Sequence, residues 1–487
     1  MTTLLLVLVP ALLLVCFDKP RLGIFITISV GFLADPIRKV IPGEPVFLVA
    51  LVAIYAGVTL VGAMRVGLVP SPARLLARAG SLRRPTTLFL LLVGFSSSVA
   101  LLRTGSPVIA GIGLIAYMAP VPAILLGYGI GSSERSAVAM LRFYAAFTAV
   151  FAFGILMSAL GFDSPLLWSV GEEMVVYAEQ TGEAVRLLCG FFRASEVAAW
   201  HCATACCLLV VIAAAYRRRP REFWIAAAAS GYFMVAIVFT GRRKAFASIV
   251  LFALVFGVFL LRFRRGTKTL ASLALVAAVL TGVFGETSIF PERFETRYQV
   301  YLEREQTTTP TSALERLELM TVGSLGYVLN ANGFLGSGAG TGSQGAQHFG
   351  GGIEIVGGAV EGGLGKILAE LGVPGVLVLL WIAIELARRL FRGIRSIGTG
   401  DPARATLALG LSALLVTNAI EFVTAHQVYG DPFVLLMLGW LLGILIVLVR
   451  PARGQRRLRA PAPPAAPAST VRVANVRPIE GIEGWSA

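Results

Sequence analysis

Three cations stand together in the stretch "VAIVFTGRRKAFASIV", where Arg242, Arg243 and Lys244 interrupt two apolar runs. Planar guanidinium forks beside an ammonium group suit a polyanion, because they combine charge with paired hydrogen bonds. Two carboxylates form a second candidate set. Glu361 and Glu370 bracket the start of a later apolar run and, nine residues apart, point to nearly opposite sides of a helix. Glu361 falls at a membrane–water boundary. Glu370 lies deeper, where a carboxylate costs roughly 2.5–3.5 kcal/mol unless it is paired or faces water. Glu370 is therefore expected either against a partner such as an arginine or on the wall of a polar cavity. The glycine-rich stretch "NANGFLGSGAGTGSQGAQHFGGG" before them permits tight turns whose backbone N–H groups can hold an anion. Gly336, Gly338 and Gly340 follow no strand of a βαβ unit, so they are not a dinucleotide fingerprint. Gly365-Lys366 lacks the rest of a phosphate-binding P-loop.

The elements that must position these groups are membrane spans. The 487 residues are 56% apolar and 14% charged, where soluble domains have about 25% charged residues. Apolar runs occur near 3–17, 22–35, 45–64, 86–103, 107–130, 137–161, 191–215, 223–240, 245–262, 269–285, 364–387, 403–422 and 431–449, which gives 12 or 13 spans. Such runs match the roughly 17–25 residues that a bilayer core of about 30 Å demands. The expected fold is all-α, a polytopic helical bundle with one large extracytoplasmic loop containing short helices. Four regions follow: an N-terminal bundle over 1–285, the loop over 286–363, C-terminal spans over 364–449 and a tail over 450–487.

Charge sets the orientation. Basic clusters at 64–85, 216–222, 262–268, 387–395 and 450–459 all fall on one side when the spans alternate, and that side is the cytoplasm. The net charge of +15 is thus placed in connectors, which argues against nucleic acid as a partner. The acidic segment 162–190 and the loop 286–363 face outward. Arg242, Arg243 and Lys244 oppose the charge bias at the outer end of a span. One account is snorkelling to lipid phosphates; the sharper one is a polyanion held at the outer surface. Cys16, Cys189, Cys202, Cys206 and Cys207 lie mostly in apolar runs and read as packing residues. His201, inside "AAWHCAT", reads as a hydrogen-bonded packing histidine. In the loop, Ser312 and Glu315 make a capping box, and Leu314, Leu317, Leu325 and Val328 form the stripe of an amphipathic helix, on the membrane surface or packed on the bundle. The Pro- and Ala-rich tail cannot build a packed core and is expected to be disordered.

In order along the chain, "RLLCGFFRASEVAAW", "FTGRRKAFASIV", Arg316 followed by "GFLGSGAGTG", and "GKILAELGVPG" resemble the O-antigen ligase and O-antigen polymerase family of bacterial membrane glycosyltransferases. They span about 190 residues around one large loop. The resemblance implies an inner-membrane enzyme with a periplasmic active face. Its donor would be an undecaprenyl-diphosphate-linked glycan and its acceptor a glycan or lipid hydroxyl, with membrane lipids and polysaccharide export machinery as further partners. It implies diphosphate binding by Arg242, Arg243 and Lys244, with Arg186, Arg193 and Arg316 contributing. With arginines meeting the leaving-group charge, neither metal nor cofactor is required. A general base would activate the acceptor hydroxyl, with Glu361 first and His348 and His426 after it. Glu361 equally suits a carboxylate favoured by a helix N-terminus, and His348 a solvated loop. Family members commonly carry a His-Asn pair where this chain has Glu361 and Gly362, which favours polymerising repeat units over ligating a finished glycan to lipid A core or protein. A transporter or flippase is the competing class, because "YMAPVPAILLGYGIG" is a Pro/Gly-interrupted span. A non-catalytic scaffold is a third.

Overall fold

The computed structural model describes residues 2–45, 47–171, 175–177, 184–217, 219–264, 318, 323–343, 346, 362–397 and 401–450. Among these, α1 (Thr2–Asp18), α2 (Pro20–Val40), α3 (Phe47–Arg65), the short α4 (Pro72–Arg78) and α5 (Arg83–Thr104) come first. They are followed by α6 (Pro107–Met118), α7 (Pro120–Ile130), α8 (Glu134–Ala159), α9 (Ser195–Ala215), α10 (Pro220–Thr240) and α11 (Arg243–Arg264). Next come α12 (Ser324–Asn332), within the loop region 286–363, and then α13 (Gly363–Ser396), α14 (Pro402–Thr424) and α15 (Pro432–Leu448). A two-stranded antiparallel hairpin, β1 (Val175–Tyr177) and β2 (Ala184–Arg186), pairs Val176 with Val185. Among the described residues, ten helices are long and apolar enough to cross a membrane, and two shorter apolar ones accompany them. The chain is an all-α, multi-pass membrane protein. Every expected span except 269–285, which lies outside the described residues, coincides with a helix, and 107–130 is divided between α6 and α7.

Local chemistry explains the boundaries. Proline opens α2, α6, α7, α10, α14 and α15, where its fixed φ suits the first turn and its missing N–H costs nothing. Asp431 caps α15 by accepting from Phe433 N at 2.7 Å and Val434 N at 3.3 Å.

Helix α9 is the axis of the bundle, with most of its apolar stretch buried. Its Ala, Cys and Thr residues let neighbours approach closely, and α8, α10, α11 and α14 all pack on it. Phe32 sits at the centre of an aromatic cluster with Tyr144, Phe147, Phe151, Phe192, His201 and Phe433, at ring separations of 5.0–6.2 Å. His201 is buried and its Nδ1 lies 2.7 Å from the Tyr144 hydroxyl, as a packing histidine should. All five cysteines are buried and unbridged. Residues Met1–Arg450 form one unit, in which α15 packs on α7 and α14 on α9 and α11. The C-terminal spans therefore share a core with the N-terminal ones.

Hydrogen bonds sort the connectors into two ends. At the end termed upper here, Lys39 Nζ donates to the carbonyls of Leu166 (3.1 Å), Gly190 (2.7 Å) and Phe192 (2.6 Å). These bonds fold residues 187–194 back over α2, and for that reason α9 starts at Ser195 rather than at 191. At the lower end, Arg142 pairs with Glu222 at 2.7 Å, Tyr216 donates to Glu134 at 2.5 Å and Arg389 donates to Ala79 O at 2.9 Å. The described parts of the basic connectors 64–85, 216–222 and 387–395 lie at this lower end.

Candidate functional site

The sequence candidates that the structure describes meet at the upper end. Arg193 lies with its guanidinium 3.1 Å from Asp431, and its own N–H donates to Asp35 at 3.0 Å. Burial works against the Arg193 charge, but Asp431, Asp35 and Glu196 together outweigh it and push its pKa above the ordinary arginine value. Arg242 is held by the next residues along: its Nε donates to Ser195 Oγ at 3.0 Å and its terminal nitrogen lies 2.6 Å from Glu196. Glu196 is thus the shared anion between the two arginines. Arg243 and Lys244 open α11 and are exposed beside this frame. Arg186 ends β2, half-buried, within electrostatic reach of Cys189. A small cavity with room for about one water opens between Asp35, Asp431 and His201, walled by Phe32, Phe192 and Phe433.

A second polar cluster continues along the upper end of α14. Glu421 accepts from Ser248 at 2.7 Å and lies within electrostatic reach of Lys244. The Tyr429 hydroxyl and Trp200 Nε1 both donate to Asn418 Oδ1, at 3.1 and 2.8 Å. Burial, reinforced by the charge of Glu421, raises the Tyr429 phenol well above its usual pKa, so it stays a donor. His426 is half-buried and precedes the short turn Gln427–Gly430 that joins α14 to α15.

The third cluster is built around Glu370. Its side chain accepts from Tyr117 at 2.6 Å and from Gly342 N at 3.1 Å, while its backbone carbonyl accepts from Ser96 Oγ at 2.8 Å. Glu370 is fully buried, and its partners are a phenol and a main-chain amide rather than an arginine. The glycine-rich strap 333–343 is thereby clamped between α5, α6 and α13. Gly338, at φ +114°, lies so close to Ala100 that a Cβ would sit 2.5 Å from its backbone. Helix α13 breaks at Gly372, φ 67° and ψ −169°, where Val373 N donates to Phe334 O of the strap at 2.9 Å. Of the amphipathic helix expected in the loop, residues 324–332 pack on the bundle, with Val328 buried against Leu368 and Ala369.

The structure thus brings together Arg193, Arg242, Arg243, Lys244 and, further along the same end, His426. Glu361, His348 and Arg316 lie outside the described residues, as do Ser312 and Glu315. Sequence reading did not single out Asp35, Glu196, Glu421 or Asp431, which surround the cations, or Lys39, which holds the loop before α9. A signal for Asp35 was present: it ends the apolar run 22–35, and an ionisable group at the edge of a span marks function or pairing. No family description matches this chain, and no curated protein matches it.

Proposed function

We propose that this protein is a bacterial inner-membrane glycosyltransferase that works at the periplasmic face. It transfers glycan from an undecaprenyl-diphosphate donor to an acceptor hydroxyl, polymerising the repeat units of a surface polysaccharide. The orientation rests on the basic connectors at the lower end, which belong on the cytoplasmic side, and puts the upper end outside. One observation carries the reading: Arg242, paired with Glu196, and Arg193, paired with Asp431 and within electrostatic reach of Glu196, are fixed at one end of the bundle, where Arg243 and Lys244 are exposed. Fixed cations are the groups that stabilise a departing diphosphate without reorganisation during reaction. In the reaction the acceptor oxygen attacks the anomeric carbon of the donor sugar, the bond from that carbon to the phosphate oxygen breaks, and undecaprenyl diphosphate leaves. The hydroxyl proton passes to a base, for which Glu361, His348 and His426 are the candidates. The ordered motifs resembling the O-antigen ligase and polymerase family support the same assignment.

A second reading, transport, draws on the broken helices: the division between α6 and α7 and the interruption of α13 at Gly372 are features of transporters with midplane sites. Lipid-linked glycans of a deletion strain separate the possibilities. A polymerase deletion accumulates single lipid-linked repeats at the outer leaflet. A ligase deletion accumulates long lipid-linked chains, and a flippase deletion traps precursors on the inner leaflet. Unchanged lipid-linked glycans reject the transferase.

A further inference from the structure

At the lower end of the bundle the last turns of α13 press against the end of α15, where a Cβ on Gly393 would stand 2.8 Å from the Cβ of Val449. This contact gathers Arg389, Arg392 and Arg450, and the charges that act most on Arg389 are those of Arg450 and Arg392. Neutral groups hold two of the three. Arg389 donates to the Ala79 carbonyl at 2.9 Å. The Arg450 guanidinium lies 4.7 Å from the ring centre of Tyr128, to whose hydroxyl it also donates. Arg392 is exposed, and its one hydrogen bond among the described residues goes to the carbonyl of Arg388 in its own helix, at 3.3 Å.

Other cations at this end are answered locally. Arg142 pairs with Glu222 at 2.7 Å, Arg388 with Glu385 at 3.0 Å, and Arg404 donates to the carbonyls of Val447, Leu448 and Arg450 at 2.9–3.1 Å. Glu385 also lies within electrostatic reach of Arg392, but its single charge leaves the group of Arg388, Arg389, Arg392 and Arg450 strongly positive among the described residues. Like charges around a half-buried guanidinium repel one another more than they would in water, and an anion between them relieves that repulsion. A second feature says what kind of anion. Above the arginines, Leu377, Leu380, Trp381 and Ile384 of α13 are exposed, and steps of three or four residues carry this apolar stripe down the same helix face to Arg388 and Arg392. At that height in a span, an exposed apolar face meets acyl chains.

We propose that Arg389, Arg392 and Arg450 form a cytoplasmic-leaflet site for an anionic phospholipid, with its phosphate between the three guanidinium groups and its acyl chains along the stripe from Leu377 to Ile384. Guanidinium forks match phosphate oxygens in pairs, and basic pockets between spans on the cytoplasmic side suit such headgroups. A soluble phosphate offers the same oxygens but leaves the apolar stripe unmet, so the lipid is the better fit. The site shares its membrane orientation with the transferase reading and uses none of that reading's chemistry.

The test is a thermal-shift titration of the full-length protein, delipidated in a neutral detergent. Cardiolipin, phosphatidylglycerol and phosphatidylcholine are added in mixed micelles, and inorganic phosphate serves as the lipid-free probe. An anionic lipid is expected to raise the melting temperature saturably, whereas phosphatidylcholine and inorganic phosphate do not. In Arg392→Gln the lipid needed for half the shift rises at least about fivefold, while the melting temperature without lipid stays within about two degrees of wild type. Arg103→Gln removes an equal charge from an exposed position at the other end of the bundle and leaves the titration unchanged. A preference for cardiolipin assigns the site two phosphates and equal action assigns it one; both outcomes support it. No shift with either anionic lipid, an equal shift with phosphatidylcholine or inorganic phosphate, a titration undiminished in Arg392→Gln, or one weakened as much by Arg103→Gln overturns the site. No lipid-linked glycan enters this assay, so its outcome is separate from that of the deletion strain.

Discussion

Arg193 spans the upper end of the bundle to Asp431, guanidinium to carboxylate at 3.1 Å, and so ties the loop before α9 to the residue that caps α15. Breaking one side of a mostly buried pair leaves the other charge uncompensated, at a cost of about 3–5 kcal/mol. Arg193→Met is therefore expected to lower the melting temperature sharply and to reduce the yield of folded protein. Arg193→Met combined with Asp431→Asn recovers part of the loss, because neither charge is then stranded while Asn still caps the helix. Melting curves of the two single variants and the double variant measure this coupling.

Arg242 and Arg243 are neighbours with different duties. Arg242 is committed to Ser195 and Glu196, whereas Arg243 is exposed. Arg243→Ala leaves stability within about 0.5 kcal/mol of wild type and reduces polysaccharide output at least about tenfold if it meets the diphosphate. Arg242→Ala costs both stability and output. Surface polysaccharide measured against the amount of inserted protein distinguishes the two effects. Normal output from Arg243→Ala removes Arg243 from the diphosphate site.

Glu370 has the most specific demand for its oxygen atoms. Glu370→Ala strands the buried Tyr117 hydroxyl and the Gly342 amide, at about 1–3 kcal/mol for each group. Glu370→Gln keeps an acceptor for Gly342 and can donate to Tyr117, so it is expected to melt within a few degrees of wild type. Limited proteolysis of the strap 333–343 reports the difference: Glu370→Ala is cut there and Glu370→Gln is not.

Orientation can be read with thiol chemistry because the native cysteines are silent. All five are buried, and burial raises the Cys189 thiol above its ordinary pKa, which keeps it protonated near neutral pH. Wild type is therefore expected to resist a membrane-impermeant maleimide. Phe162→Cys, at an exposed upper position, reacts in intact spheroplasts, while Arg217→Cys, exposed at the lower end, reacts only after permeabilisation. The reverse pattern inverts the protein and rejects a periplasmic site.

The spans were legible because a bilayer leaves one signature: long apolar runs with charge at their ends. His201, read from its apolar sequence neighbours as a packing histidine, sits among aromatic rings where one phenol, Tyr144, answers it. Partnerships between distant helices were harder to see. Helices such as α9 are apolar on every face, so periodicity does not say which side meets which neighbour, and the Lys39 bonds to Leu166, Gly190 and Phe192 carry no local signal. Glu370 was expected to need a partner, but that partner turned out to include a main-chain amide, which any residue type supplies and which therefore leaves no mark in composition.

The interruption at Gly372 also imposes a calendar on biogenesis. Residues 333–343 leave the ribosome before 363–396, yet Ser337 N and Gly338 N end on the carbonyls of Ala369 and Glu370, and Phe334 O on the amide of Val373. The earlier segment can reach α5 and α6, but it lacks the third wall of its seat until the later helix has been threaded into the lipid. A nascent chain arrested before residue 363 should therefore present the strap to protease, and release of the remaining chain should close that window, with the late-born helix acting as the keystone.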